Sequence, residues 1–407
     1  MKITTIIFVL LLVLSGLLPL SCAKATLDVN DREEGLLTEI PFRLYDSVIL
    51  MELSIDESSP LLFIFDTGAG GTVINEHTAM QLGIVGDETV SRIGGTGTAE
   101  VKLSNKHTLD IGRLTIQDVT LGIVDLEHIE ERLGIRFDGV IGWKILSQYA
   151  VSVDYDVMRI GIYDNKKFKY NFGNNAYPIE IQGTTIFTDI TVALNSGSTF
   201  NGNVVVDTGS GGTISFNTPF IEENSLLSEI DSYYTRETKS LSTESSKIYT
   251  TMIANLNIGE HTFSPVPADL AISESGAFSW SGPIGILGNE ILKRFNMFIN
   301  LEQNMISLEP NQLYNEEFEV NCSGLELGMD DTFKNVIIDD VYDNSPAEDA
   351  GLRKGDVITK IEGIDVSTLQ LRQIRDMLTQ TEKEIEIVID RNDESLEYTF
   401  ILKPLIE

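Results

Sequence analysis

The sequence predicts a mainly β protein built from two duplicated β lobes and a small C-terminal α+β domain. The first observation is an internal repeat, because segments 40–75 and 177–216 follow one plan of short apolar strands and polar turns. The second is that each copy ends in Asp-Thr-Gly, at Asp66 and at Asp207. The third is a change of pattern near residue 317, where two helix signals lie among β-rich runs. The predicted parts are an export signal at 1–21, a tether at 22–36, lobe 1 at 37–167, lobe 2 at 168–312 and the C-terminal domain at 317–405.

The first 22 residues have the features of an export signal. Lys2 precedes an apolar run from Ile6 to Leu20, and because this pattern is that of an export signal the run should not be counted in the fold. The residues Leu-Pro-Leu-Ser-Cys that end at Cys22 resemble a relaxed bacterial lipobox, in which the Cys becomes lipid-modified, although Pro19 departs from the commonest pattern. Ordinary cleavage near Ala23 and an uncleaved anchor are the alternatives. The prediction is lipidation at Cys22, with a membrane-anchored protein in the bacterial cell envelope.

Composition sets the class of protein and excludes one class of partner. A chain of 407 residues is longer than one hydrophobic core usually supports, and 42% apolar residues are typical of globular proteins. The formal net charge of −33 comes from 62 acidic against 29 basic residues, spread along the chain. Because nucleic-acid binding depends on Lys and Arg at the phosphates, we expect no nucleic-acid partner.

The later halves of the two lobes repeat as well. Leu109–Gly112 recurs as Leu256–Gly259, an offset of 147 positions against 141 for the two Asp-Thr-Gly sites. Gly-Val-Ile-Gly at 139–142 recurs as Gly-Ile-Leu-Gly at 285–288. Runs rich in Val, Ile, Phe and Thr dominate both copies, and the clearest helix signal is Glu127 to Leu133. The near-constant offset indicates duplication, and Asn- and Gly-rich residues at 165–175 predict the linker between lobes.

An Asp at the end of a buried apolar strand is costly to keep ionised, so its presence in both lobes needs a reason. If the lobes pack about a pseudo-twofold axis, Asp66 and Asp207 face each other. Two carboxylates at hydrogen-bond distance cannot both ionise freely, and they would share one proton. Thr67, Gly68, Thr208 and Gly209 would support the pair, the threonines through hydroxyl hydrogen bonds and the glycines by close backbone approach.

With these motifs residues 37–310 resemble the pepsin and retropepsin superfamily of aspartic proteases, whose lobes carry Asp-Thr-Gly and a later apolar-apolar-Gly strand. The resemblance implies two retropepsin-like β-barrel lobes forming a pepsin-like bilobal unit, with Asp66 and Asp207 catalytic. It also implies that the two Thr interlock across the lobe interface. A single Asp-Thr-Gly would more often be an ordinary turn, but two copies with their apolar partners favour catalysis.

Two departures from the family pattern concern the surroundings of the dyad. Ala69 is the retropepsin choice, whereas Ser210 is the pepsin choice and can hydrogen-bond the nearby carboxylate, so the two Asp should differ electrostatically. Gly94, Gly95 and Thr96 lie where the family places its substrate-covering flap, without the Tyr usual in pepsins. The counterpart in lobe 2, near Thr238 to Lys247, lacks glycine, so its part in covering substrate is doubtful.

The C-terminal segment resembles bacterial PDZ domains. Pro346 and Ala347 open a short helix that Gly351 ends, the strand Val357-Ile358 follows, and a second helix fits Leu369 to Leu378. In PDZ domains a chain terminus adds as a strand, and its carboxylate is received by an apolar-Gly-apolar loop. Leu327, Gly328 and Met329 match that loop. The alternative is a spacing or interaction module with a blocked groove.

Other chemistries have no support in the pattern. The four His are scattered, and no His-Glu-x-x-His or Cys pair occurs, so neither a metal nor another cofactor is expected. Cys322 has no nearby His for a nucleophile role and is expected to be structural.

The sequence therefore predicts an exported aspartic endopeptidase that acts on peptides or proteins, with a PDZ domain that recruits substrates or partners. Because both lobes come from one chain, a monomer would suffice for catalysis. The alternative is a catalytically inactive envelope protein that binds peptides on the same fold.

Overall fold

The computed structural model describes residues 35–167, 175–240 and 244–406. The predicted export signal, the lipidation site Cys22 and the tether up to residue 34 lie outside the described residues, as do residues 168–174 of the predicted linker. Strands make up 49% of the structure and helices 14%, which confirms the mainly β fold. Within the described residues no helix is both long and apolar enough to span a membrane.

Lobe 1 consists of ten strands and three short helices in the described residues 35–167. Its strands are β1 Leu36–Tyr45, β2 Val48–Ile55, β3 Leu61–Phe65, β4 Thr72–Asn75, β5 Glu88–Ile93, β6 Thr98–Ile111, β7 Leu114–Val124, β8 Gly139–Ile141, β9 Ala150–Asp154 and β10 Arg159–Tyr163. Its helices are α1 Glu76–Leu82, α2 Glu127–Leu133 and α3 Trp143–Leu146. The predicted helix at Glu127–Leu133 is confirmed, and Gly134 ends it in the left-handed region.

Lobe 2 repeats this order of elements. Its strands are β11 Ala176–Pro178, β12 Glu180–Gln182, β13 Thr185–Ala193, β14 Thr199–Val206, β15 Ile214–Phe216, β16 Tyr233–Lys239, β17 Ser245–Ile253, β18 Asn255–Ile258, β19 His261–Phe263, β20 Val266–Ile272, β21 Gly285–Leu287, β22 Phe295–Asn300 and β23 Met305–Pro310. Its helices are α4 Thr218–Glu223 and α5 Asn289–Leu292, with short 3₁₀ turns at Leu226–Ser228 and Ala277–Ser279.

The repeated motifs occupy equivalent strands of the two lobes. In lobe 1, β3 runs parallel to β8 with Phe65 opposite Ile141, and in lobe 2, β14 runs parallel to β21 with Val206 opposite Leu287. These four side chains are fully buried, so each contributes roughly 1.5–3 kcal/mol of hydrophobic stabilisation. The apolar strands therefore fix the point at which each Asp-Thr-Gly loop leaves its sheet.

One sheet joins the two lobes. Its strands follow the order β11-β23-β22-β9-β10-β1, and the central pair, β9 and β22, is antiparallel with Val151 opposite Ile299. A single apolar core continues from lobe 1 into lobe 2 beneath this sheet. The lobes are thus held by backbone pairing as well as by side-chain packing, which fixes how the two Asp-Thr-Gly loops face each other.

The C-terminal domain has its own core and its own sheet. Its strands are β24 Leu325–Met329, β25 Val336–Val341, β26 Val357–Ile361, β27 Ile364–Asp365, β28 Glu384–Arg391 and β29 Glu394–Ile401. Its helices are α6 Pro346–Ala350 and α7 Leu371–Met377, with a 3₁₀ turn at Val366–Thr368. Both predicted helices are confirmed, and α6 begins as expected, with the Ser345 hydroxyl accepting from the Glu348 amide.

Candidate active site

The two Asp-Thr-Gly loops meet at the interface of the lobes. Asp66 directly follows β3, and its amide donates to the Ile141 carbonyl at 2.9 Å. Asp207 directly follows β14, and its amide donates to the Leu287 carbonyl at 3.0 Å. The two carboxyl groups lie close enough together that each affects the pKa of the other. The structure therefore brings together the residues that the sequence predicts as catalytic.

The two threonines interlock beneath the carboxyl groups. The Thr67 amide donates to the Thr208 hydroxyl and the Thr208 amide donates to the Thr67 hydroxyl, both at 3.0 Å. Each hydroxyl then donates to the opposite strand, Thr67 to the Val206 carbonyl at 2.7 Å and Thr208 to the Phe65 carbonyl at 3.0 Å. Both side chains are completely buried. This symmetric network holds the two loops in register across the interface.

Backbone amides hold one oxygen of each carboxyl group. Asp66 Oδ1 accepts from Gly68 at 2.7 Å and from Ala69 at 3.0 Å. Asp207 Oδ1 accepts from Gly209 at 2.8 Å and from Ser210 at 3.1 Å. Ser210 reaches Asp207 through its amide, just as Ala69 reaches Asp66, so this contact is the same in both lobes.

The two loop glycines allow the carboxyl groups to approach the opposite loop. A Cβ on Gly68 would lie 2.6 Å from Asp207 Cγ, and a Cβ on Gly209 would lie 2.3 Å from Asp66 Cγ. Both distances are shorter than a van der Waals contact, so a side chain at either position would clash with the carboxyl group of the opposite Asp. Each glycine therefore acts as a close-approach residue for the Asp of the other lobe, which supports the sequence prediction.

The electrostatics of the pair favour a shared proton. Burial raises the pKa of Asp66 well above its usual value, and the negative charge of Asp207 raises it further. Burial also raises the pKa of Asp207, although the hydrogen bond from Asp66 and the amides of Gly209 and Ser210 oppose that shift. Because the groups are coupled, the protons belong to the pair rather than to either residue.

The predicted flap is the tip of the β5–β6 hairpin, closed by a 2.7 Å hydrogen bond from the Gly94 amide to the Gly97 carbonyl. Thr96 at the tip is only 1% exposed, because it is bound to lobe 2. Its amide donates to the Ser240 hydroxyl at 3.0 Å, and its carbonyl accepts from the Ser273 hydroxyl at 3.1 Å. The Gly94 and Gly95 carbonyls accept from the Ala277 and Phe278 amides at 2.9 and 3.0 Å. The flap is therefore closed against lobe 2.

Sequence reasoning missed the residues that receive the flap and one that supports the second loop. Ser240 belongs to the region of lobe 2 whose role was doubtful, and Ser273 had no pattern to distinguish it from a surface serine. Asn289 is fully buried, donates to the Ser47 carbonyl at 2.7 Å and accepts from the Tyr155 hydroxyl at 2.7 Å. The sequence feature that could have pointed to Asn289 is its position in the repeat, because the equivalent residue of lobe 1 is Trp143, a very different side chain.

The predicted PDZ loop is part of a strand. Leu327, Gly328 and Met329 lie in β24, paired with residues 336–338 of β25. The glycine permits a close approach in this strand, since a Cβ on Gly328 would lie 2.1 Å from Asp339 Oδ2. The role of these residues in peptide binding stays a prediction. The Leu327 carbonyl already accepts a hydrogen bond within the chain, from the Arg375 guanidinium at 2.7 Å.

The described residues contain no group of three or more His, Cys, Asp or Glu side chains that could hold a metal ion. Cys322 is a free, fully buried thiol, and burial raises its pKa. A raised pKa disfavours the reactive thiolate, in keeping with the predicted structural role.

Comparison with known families bears on both parts of the chain. Residues 51–145 match the family model described as aspartyl protease, and residues 337–391 match the model described as PDZ domain. An aspartyl protease domain and a PDZ domain are found. The first match contains Asp66, the flap and β8, and the second contains α6 and α7. No curated protein matches the chain.

Solved structures give two further likenesses. The aspartic proteinase from Irpex lacteus is 12% identical with a TM-score of 0.45, over 69% of this chain and 98% of that one. The photosystem II D1 C-terminal processing protease is 28% identical with a TM-score of 0.20, over 20% of this chain. The match spans only 23% of the length of that second protease.

Proposed function

We propose that this protein is an aspartic endopeptidase that hydrolyses peptide bonds with a water molecule activated between Asp66 and Asp207. The observation that carries the proposal is the pair of facing, partly buried carboxyl groups on the interlocked Asp-Thr-Gly loops, whose pKa values are both raised. Such a pair keeps one proton and one negative charge over a range of pH, which is what the reaction needs. The match of residues 51–145 to an aspartyl protease family supports the same reaction class.

The chemistry uses the pair as acid and base together. The ionised carboxylate takes a proton from water while the water oxygen bonds to the scissile carbonyl carbon, and the carboxylic acid gives its proton to the carbonyl oxygen. The resulting gem-diol then breaks its C–N bond: the leaving nitrogen takes the proton of the newly protonated carboxyl group, and one gem-diol hydroxyl gives its proton to the other carboxylate, which yields the product acid and amine. The interlocked threonines keep the two carboxyl groups in place through both steps.

The test of this function is cleavage of a diverse peptide library by the purified protein from acidic to slightly alkaline pH. We expect kcat/KM to rise as the pair loses its first proton and to fall as it loses its second. Because burial raises both pKa values and the negative charge of Asp207 raises that of Asp66 further, the falling limb should lie at higher pH than for isolated aspartic acids. A folded protein that binds library peptides without cutting them would contradict the proposal and favour a binding protein.

We also propose that the protein is exported and lipid-anchored in a bacterial cell envelope, with the PDZ domain positioning substrates or partners. The apolar run from Ile6 to Leu20 and the lipobox-like residues before Cys22 support this proposal. Metabolic labelling with a fatty-acid analogue should mark the native protein and not Cys22→Ala. Equal labelling of both proteins would contradict lipidation at Cys22.

A further inference from the structure

The PDZ domain is docked onto the lobes through several contacts, one of which is made by an arginine of α7. The Arg375 guanidinium donates to the Asp46 carboxylate in the β1–β2 turn, to the Arg132 carbonyl in α2 and to the Leu327 carbonyl in β24. Arg375 is only 27% exposed and Asp46 only 18%, so the ion pair is largely removed from water. One side chain thus joins two elements of lobe 1 to the edge of the PDZ sheet.

This docking covers the edge at which a PDZ domain accepts a peptide. An added strand binds through the main-chain groups of an edge strand, beside the neighbouring helix. Here β24 is an edge strand of the PDZ sheet and is paired with β25 on one side. Its Leu327 carbonyl accepts from Arg375 instead of from a bound peptide. Helix α2 of lobe 1 packs against β24, and Gly134 at its end is so close that a Cβ would lie 2.7 Å from Leu371 Cβ.

The same helix of lobe 1 also holds the part of lobe 2 that receives the flap. The Arg132 guanidinium donates to the Thr238 hydroxyl at 3.1 Å and to the Lys239 carbonyl at 3.0 Å. His128 Nε2 is hydrogen-bonded to the Ser240 carbonyl at 2.5 Å. Ser240 in turn binds Thr96 through both its hydroxyl and its amide. A continuous series of contacts therefore links Arg375 to the tip of the flap.

Charges of both signs meet across the interface. Glu326 of the PDZ domain lies near Arg132 and Arg236 of the lobes and attracts both, whereas Asp331 and Asp339 of the PDZ domain lie near Glu131 of α2 and repel it. Tyr342 of the PDZ domain stacks on Tyr234 of β16, with ring centroids 4.8 Å apart. The docked PDZ domain therefore contacts α2 and also β16, the strand that ends at Lys239, next to Ser240.

We propose that the docked PDZ domain is an internal latch that keeps the flap closed, and that an extended peptide bound along β24 opens it. Such a peptide has to displace Arg375 from Leu327, which also breaks the contacts of Arg375 with Arg132 and Asp46. Freed of this restraint, α2 and the Ser240 region can move, and the flap loses its anchor in lobe 2. The occupied PDZ groove and the closed flap are thus alternative states of one equilibrium.

Hydrogen exchange at the flap tests the latch, since it needs no cleavage. We expect Arg375→Ala to raise the exchange of the Gly94 and Thr96 amides by about tenfold, the loss typical of charged hydrogen bonds. The matched control is Arg372→Ala on the same helix, whose guanidinium is half-exposed and pairs within α7 to Asp376 at 3.9 Å. The control should leave flap exchange unchanged. Unchanged flap exchange in folded Arg375→Ala would overturn the latch.

Two further variants keep the test decisive. If Arg375→Ala perturbs the PDZ domain itself, Asp46→Asn removes the same ion pair from the side of lobe 1 and should have a similar effect on the flap. Ser240→Ala removes the anchor at the other end, so adding Arg375→Ala to it should accelerate flap exchange much less than in the native protein. Fully additive effects would mean that the two contacts are independent and would overturn the proposal. All variants can be measured with Asp66→Asn added, so that the result does not depend on the proposed peptidase activity.

A peptide probe tests the second half of the proposal. A library of synthetic peptides with free C-terminal carboxylates, added to the Asp66→Asn protein, should accelerate exchange at the flap and slow exchange in β24. Peptides that protect β24 without changing the flap would overturn the link between groove and flap.

Discussion

Replacing Asp66 or Asp207 by asparagine should each reduce peptide cleavage by about 10²–10⁴-fold, the range associated with loss of a general acid or base. Asparagine keeps the size of the side chain and can still accept from the loop amides at 68–69 or 209–210. It cannot hold the shared proton or a negative charge, so neither water activation nor protonation of the carbonyl oxygen remains. The measurement is kcat/KM for one library peptide at the optimum pH of the native protein. Retained cleavage in either variant would assign the activity to another site or to a contaminant.

Thermal stability is the control that separates lost chemistry from lost folding. A carboxyl group with a raised pKa in the folded state adds stability at low pH, and this contribution is lost as pH rises through the folded pKa. The charged dyad therefore destabilises the native protein at neutral pH, since the pKa of Asp66 is raised well above its usual value. Asp66→Asn should melt at least as high as the native protein at pH 7 and lose that advantage below about pH 4, the unfolded pKa of Asp.

Replacing Thr208 by valine should lower the free energy of unfolding of the lobes by about 2–4 kcal/mol. Valine has nearly the same shape but loses the hydroxyl that donates to the Phe65 carbonyl and accepts from the Thr67 amide. The Phe65 carbonyl and the Thr67 amide then each lose a hydrogen-bond partner, at a threonine site that is fully buried in the lobe interface. Thr67→Val should have a similar effect, because the network is symmetric.

Urea unfolding followed by tryptophan fluorescence measures this effect in the lobes. Trp143 and Trp280 are the two tryptophans of the sequence, and both lie in the lobes rather than in the PDZ domain. The matched control is Thr208→Ser, which keeps the hydroxyl and should cost no more than about 1 kcal/mol for the lost methyl group. If valine and serine destabilise equally, the hydroxyl network is not what holds the loops together.

The sequence predicts those parts of the site that depend on local pattern and on duplication. Asp66 and Asp207 end apolar strands, and the strands at 139–142 and 285–288 repeat at nearly the same offset. Each feature requires a particular residue type at a fixed place, so two copies in register carry much information. The shared sheet packs the two copies about a common axis, and this packing brings the loops face to face and buries the threonines.

The contacts that close the cleft could not be predicted in the same way. Ser240 and Thr96 are ordinary polar residues 144 positions apart, and their hydrogen bond exists only because the lobes and the flap are already folded. Arg375 likewise has no distinguishing neighbours in sequence, and its three acceptors come from distant segments. Leu327–Met329 fitted a loop motif, but pairing with β25 takes these residues into a strand. In each case tertiary structure decides between local conformations that the sequence allows equally.

The continuous sheet between the lobes has a consequence for how the dyad responds to dilution. A pair of carboxyl groups assembled from two separate copies would dissociate as protein concentration falls. Here both halves of the β9–β22 junction belong to one polypeptide, so the effective concentration of one half for the other is set by the chain and not by the solution. The two halves were therefore free to diverge, as Trp143 and Asn289 have done at equivalent positions, without losing their partner.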